Sequence, residues 1–164
     1  MVGESGSGKT TVSKKLEEEG YNIIHSYTTR DKRTQNEWGH IFVNKFEKEK
    51  DAEDIIAYTY YNDNHYWAVK SQYQNKGKSI YVIDVDGINY LRKKVTDAAV
   101  LVIYLQADKI TRFKRMVFER GPINAYKRIK NDLNDFSVVP CDYKINANQG
   151  IKKVLKNIRE VINE

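Results

Sequence analysis

Covalent ties and internal breaks are both scarce in this chain. It has one cysteine, Cys141, so no disulfide can close within it, and a reducing, cytoplasmic setting is expected. Only two prolines occur, Pro122 and Pro140, with no linker-like, repetitive or low-complexity stretch. One domain covering residues 1–164 is therefore expected, long enough to bury its own core. The three histidines have no cysteine or histidine at metal-ligand spacing, which argues against a structural zinc site. No apolar run approaches the roughly 18–20 residues of a membrane helix, and the start lacks a signal-peptide pattern, so no membrane partner is expected. Charge is not scarce. A formal net charge of +6 suits an anionic partner, although solvated Lys-rich helices account for the same number.

The pattern along the chain alternates. "GKTTVSKKLEEEG" reads as a helix with Val12 and Leu16 inward and Gly20 as its stop. "YNIIHS" reads as a strand, "SYTTRDKRTQNEWGH" as a polar loop, and "HIFV" as a strand again. Asn44 with Glu47 resembles a capping box before a small helix. "IIAYTYY" and "HYWAV" around "NDN" predict a hairpin. "SIYVID" and "AVLVIYL" have the β-rich continuity of strands buried on both faces of a parallel sheet, each leading into a helix with an acidic cap candidate, Asp86 and Asp108. A last helix near residues 150–162 places Ile151, Val154, Leu155, Ile158 and Ile162 on one stripe. The expected class is α/β, a parallel-sheet core flanked by helices, with the hairpin region between about residues 26 and 69 inserted over one end.

Gly3-Glu4-Ser5-Gly6-Ser7-Gly8-Lys9-Thr10 matches G-x-x-x-x-G-K-[ST] at every fixed position and opens the first helix. This is the phosphate loop of the P-loop NTPase fold: backbone N–H groups wrap phosphates, and the helix presents its positive end. Gly3, Ser5, Gly6, Ser7, Gly8, Lys9, Thr10 and Thr11 are the expected ATP-binding residues, with Lys9 on the β- and γ-phosphates and the Thr10 hydroxyl on Mg²⁺. The motif normally follows a central strand, yet only Met1 and Val2 stand before it. Either that strand continues upstream or it is stunted. Asp84 and Asp86, two apart at the end of "IYVIDVD", fall on one face if the strand continues. Asp84 is the expected second metal residue, while Asp86 is shared between helix cap and ligand.

Arginines fall in two groups. Arg30 and Arg33 follow the second strand and are placed to grip a second phosphate by bidentate hydrogen bonds. Arg112, Arg115, Arg120 and Arg128 surround "ERGP" between two helices, a segment suited to close over reacting phosphates as a lid at about residues 116–128.

With Ser26-Tyr27-Thr28-Thr29-Arg30, then Arg33, Asn64-His65-Tyr66, Asp84-Val85-Asp86 and Arg120-Gly121 before Arg128, the chain resembles the guanylate kinases over roughly residues 3–162. The resemblance implies Mg²⁺-dependent transfer of the ATP γ-phosphoryl group to GMP. Small nucleotides, not nucleic acid, are then the expected partners. It implies Lys9, Arg30, Arg33, Arg115, Arg120 and Arg128 as the catalytic set. It also implies Ser26, Arg30, Arg33, His40, Tyr66 and Asp86 as the acceptor-binding set, with His40 in place of a tyrosine. Two guanine-reading positions of the family, a glutamate and a Ser/Thr, fall at Ala57 and Ala68. An acidic residue after the second arginine falls at Asn36 or, if the gap slides, at Glu37. The alternatives are a kinase of another nucleoside monophosphate, or a phosphopeptide-binding module of the same fold. The tyrosines and Trp67 around the hairpin read first as packing, Tyr66 excepted.

Overall fold

A computed structural model describes residues 1–47, 54–136 and 138–163. In chain order the elements are α1 (Lys9–Glu18), β1 (Asn22–Ile24), β2 (Ser26–Thr28), β3 (His40–Phe42), β4 (Ile55–Tyr61), β5 (Asn64–Val69), a 3-10 turn (Lys70–Gln72), β6 (Ser79–Tyr81), α2 (Val85–Lys94), β7 (Ile103–Gln106), α3 (Lys109–Arg120), α4 (Pro122–Asp135), β8 (Tyr143–Asn146) and α5 (Ile151–Asn163). The helix expected after Asn44 and Glu47 lies outside the described residues. Among the described residues no helix is long and apolar enough to cross a membrane. The chain forms two compact units, Met1–Glu18 with Leu101–Glu164, and Glu19–Val100.

In the first unit β7 pairs with β8 in parallel, from Ile103 opposite Tyr143 to Gln106 opposite Asn146. Val2 adds one parallel bridge at Tyr104: its N–H donates to the Ile103 carbonyl, and Leu105 N–H donates back to its own, both at 2.9 Å. Val2 thus ties the loop that follows to β7. Val2, Leu16, Leu105, Met116 and Ile158 are fully buried. From α5, Val154, Leu155 and Ile158 go inward, but Ile151 in its first turn is solvent-exposed, so the apolar stripe is shorter than its sequence pattern. Asp108 caps α3 by accepting from Thr111 N–H at 2.7 Å. Gly121, at φ 78°, then separates α3 from α4, and Pro122 begins α4 where no N–H is required.

In the second unit β1 and β6 form a parallel pair, and β3-β2-β5-β4 form a mixed four-stranded sheet. Asn62 and Asp63 both take positive φ, 47° and 57°, the conformation of a two-residue hairpin turn between β4 and β5. Ile24, Ile56, Ala57, Ala68, Tyr81 and Val95 make the core of this unit.

Three expectations are corrected. Among the described residues the strands form three ladders, of which β1–β6 and β7–β8 are parallel, and not one continuous sheet. They are short, and the chain leaves the β1–β6 ladder at His25 to pair β2 with the hairpin. Part of the stretch read as a polar loop is therefore a strand, Ser26–Thr28. The cap of α2 is Asp84, which accepts from Gly87 N–H at 2.6 Å, and not Asp86. With the helix starting at Val85, the two carboxylates do not share a strand face. β8 carried no strand signal distinct enough to be read beforehand.

Candidate active site

The phosphate loop is shaped by contacts that only glycine permits. A Cβ on Gly3 would stand 2.6 Å from the Leu105 carbonyl oxygen, and one on Gly6 would stand 2.8 Å from that of Arg112. Gly6 and Gly8 hold φ at 77° and 98°, a region that side chains disfavour. The loop is thus pressed between β7 and α3 and turns straight into α1. The N–H groups of Lys9, Thr10 and Thr11, at the start of that helix, have no intrahelical acceptor. The Ser7 hydroxyl is buried without a partner.

The Lys9 ammonium donates to the carbonyls of Gly3 and Glu4, the latter at 3.0 Å. Burial pushes its pKa down to about 8 against the opposing pull of Asp132 and Glu4, while Arg128 and Arg112 add to the lowering. Thr10 and Thr11 are exposed at the helix start. Such a concave set of donors fits an anionic phosphate. Among the described residues no group of three or more His, Cys, Asp or Glu could hold a metal. Magnesium carried on phosphates needs only one or two protein ligands, which the Thr10 hydroxyl fits. Asp84 lies in the other unit, where one carboxylate oxygen caps α2.

The four arginines expected around the lid separate by role. Arg112 is fully buried, 2.7 Å from Asp132. Arg115 reaches the Gly6 and Ser7 carbonyls at 3.3 and 3.4 Å and the Ala147 carbonyl at 2.9 Å, so its guanidinium holds the loop backbone. Arg120 is exposed beside Glu119, and Arg128 is half-buried near enough to Lys9 to affect its charge. Asp132, absent from the sequence reading, accepts from both Ser5 N–H and Ser5 Oγ. No local pattern announces it, because its partners stand 20 and 127 residues away.

A second cluster lies wholly in the other unit. Glu37 takes Arg30 with both oxygens, at 2.7 and 3.3 Å, and accepts from Arg33 N–H at 2.6 Å. Of the two candidates Asn36 and Glu37, it is Glu37 that pairs with Arg30. Burial raises the Glu37 pKa, but the hydrogen bonds from Arg30 and Arg33 outweigh it and leave the carboxyl below its ordinary range. The Arg30 guanidinium lies over Phe42, 5.4 Å from the ring centre. Strand register puts Tyr66 opposite Thr28, and Ser26 opposite His40. The His40 and Tyr66 rings are 5.8 Å apart. Burial first, then the Arg30 charge, lowers the His40 pKa, so its ring is neutral at pH 7. Two polar atoms of this cluster, Arg30 Nε and His40 Nδ1, are buried without a hydrogen-bond partner.

The remaining acceptor residues are less open. Ser26 Oγ and the Tyr81 hydroxyl share a buried hydrogen bond of 2.9 Å, and burial pushes the Tyr81 pKa up to about 12. Ala57 and Ala68 face one another across the β4–β5 ladder, both fully buried. Asp86 is exposed in the first turn of α2 and not at a strand end. Of the hairpin aromatics, Trp67 is buried while Tyr60 and Tyr61 are exposed.

A loop of this form, running from a parallel strand bridge into a helix N-terminus, defines an α/β protein of the P-loop class. The guanylate kinase family model matches residues 1–164, and the chain belongs to the guanylate kinase family. It is 28% identical over 176 residues to the guanylate kinase of Campylobacter jejuni strain RM1221, covering 99% of this chain and 85% of that one. The guanylate kinase of the C. jejuni serotype O:2 strain is likewise 28% identical, with 84% of it covered. The crystal structure of guanylate kinase from Anaplasma phagocytophilum superposes with a TM-score of 0.67 at 21% identity, over 99% of this chain and 82% of that one. That likeness establishes the shared fold.

Proposed function

We propose that the chain is an ATP-dependent nucleoside monophosphate kinase that transfers the γ-phosphoryl group to GMP. The phosphate loop, with Lys9 on the β- and γ-phosphates and Thr10 on Mg²⁺, binds the donor. Magnesium, when bound there, offsets phosphate charge. Arg30, Arg33, His40 and Tyr66 bind the phosphate of the acceptor. Arg120 and Arg128 are the arginines left to face the transferred group, since Arg115 is committed to the loop backbone. Transfer of this kind rests on positioning and electrostatics and needs no protein general base.

The observation that carries the reading is Arg30 Nε, a buried donor without a partner in the cluster of Arg30, Arg33, His40 and Tyr66. Buried polar atoms are nearly always satisfied, so an unsatisfied N–H on a guanidinium already oriented by Glu37 suits an incoming phosphate. A phosphopeptide-binding module would use this cluster but has no use for Lys9, Thr10 or the loop built around them.

A second acceptor base is favoured by one observation: Ala57 and Ala68 bring no hydrogen-bonding side chain, and the Ser26 hydroxyl is engaged with Tyr81. A site built on polar base contacts discriminates by 10⁴ or more, whereas an apolar one manages about 10–200-fold. The test is ADP release from MgATP with GMP, dGMP, AMP, CMP and UMP in parallel. Preference for GMP supports guanylate kinase activity, and preference for another moves the acceptor. Absence of turnover with all five, despite MgATP binding, overturns the kinase reading for these acceptors.

A further inference from the structure

We propose that Asp132 is a positioning residue for the phosphate loop: its carboxylate, paired with the buried Arg112 guanidinium, holds Ser5 and so aims the loop's backbone N–H groups at the donor nucleotide. The inference rests on the reading of the loop as the MgATP site.

Both carboxylate oxygens of Asp132 are used. Oδ2 accepts from Ser5 N–H at 2.9 Å and from Arg112 Nη1 at 2.7 Å, and Oδ1 accepts from Ser5 Oγ at 3.1 Å. The same Arg112 Nη1 reaches the Ser5 carbonyl at 3.3 Å. Arg112 Nη2 stands 3.6 Å from Glu4, whose other oxygen accepts from the Tyr104 hydroxyl at 2.8 Å. Ser5 is therefore gripped at its N–H from α4 and at its C=O from α3.

A trans peptide is planar, with its C=O and the following N–H pointing opposite ways. Arg112 holds the Ser5 carbonyl, and Arg115 holds that of Ser7 at 3.4 Å. The N–H groups of Gly6 and Gly8 are thereby turned away from α3. Ser7 N–H is spent inside the loop on the Glu4 carbonyl at 3.1 Å, which closes the turn. Asp132 sets where this arrangement begins.

Stability alone does not call for such a pair. Buried ion pairs can often be replaced by well-packed apolar residues at no cost. Here the Arg112 Nε is left buried without a partner, a defect that an aliphatic side chain would not have. What an apolar pair cannot do is accept the Ser5 N–H.

The test compares the full chain with the double variant Arg112→Met/Asp132→Ala, which removes both charges, and with Arg112→Met/Asp132→Asn, which restores a neutral acceptor near Ser5. Thermal midpoint, binding of a fluorescent MgATP analogue, and KM for ATP and for the acceptor are measured on each. The expected result is a wild-type or higher midpoint in the alanine double variant, with MgATP binding weakened roughly tenfold or more and acceptor KM unchanged. The asparagine variant is expected to recover most of the lost affinity. Wild-type MgATP affinity in a folded alanine variant overturns the proposal. Asp132→Glu keeps the charge pair and shifts the carboxylate by one methylene. If the alanine variant does not fold, unchanged affinity in Asp132→Glu overturns the proposal as well. A wild-type chain that binds no MgATP overturns both this inference and the donor-site reading beneath it.

Discussion

Glu37 holds Arg30 by a two-pronged contact, 2.7 and 3.3 Å, with both side chains largely buried. The pair fixes a cation in place before any anion arrives. Replacing Glu37 by Gln leaves the guanidinium charged but loosely aimed. Acceptor affinity is expected to weaken roughly tenfold or more, the scale of a charge-assisted hydrogen bond, with MgATP affinity unchanged. Titration calorimetry with each nucleotide checks this. Equal losses for both nucleotides would mean a general defect of folding.

Acid should weaken the same unit in two stages. His40 in the folded chain has a pKa below its ordinary 6.5, so as pH falls from 6.5 the unfolded chain takes up a proton that the folded one resists, and stability is lost. Glu37 is also lowered, from an ordinary 4.5; its contribution is present above that value and lost as pH falls further. Denaturant midpoints from pH 8 down to about pH 2 should show a first decline that His40→Asn removes. A second, at the acid end, should be removed by Glu37→Gln.

Lys9→Ala removes the ammonium from the donor loop. Turnover is expected to fall by about 10² or more, as for loss of one preorganised charge-stabilising donor, with acceptor binding preserved. Survival of full turnover in steady-state assays would remove the donor site from the loop.

Ala57→Glu supplies the carboxylate that the base-reading position lacks, but it places it among Ile24, Ile56, Ala68, Tyr81 and Val95. An unpaired buried charge should cost about 3 kcal/mol or more, so the variant is expected to lose stability and not to gain guanine selectivity. Urea unfolding together with the five-nucleotide assay decides between these outcomes.

Gly6→Ala meets both the positive φ of 77° and the Arg112 carbonyl, 2.8 Å from the new Cβ. Backbone strain of this kind costs about 1–3 kcal/mol, and a lower thermal midpoint with weaker MgATP binding is the expected result.

Much of this was already legible in local order. The spacing of Gly3, Gly8, Lys9 and Thr10 implies the phosphate loop, because backbone chemistry at a helix start depends on a few neighbours in sequence. Val12 and Leu16 mark the helix behind it, and "NDN" marks the hairpin turn, for the same reason. Arg30 and Arg33, three apart after a short strand, imply an anion grip on the same local grounds. Other features needed the tertiary structure. Whether Asn36 or Glu37 faces Arg30 depends on how the segment after Arg33 folds back. Asp84 takes the cap from Asp86 because the strand stops at Tyr81. Arg115 meets the loop carbonyls of Gly6 and Ser7, and Asp132 reaches Ser5 across 127 residues. Such contacts are set by packing between distant segments, and packing has no signature in local spacing.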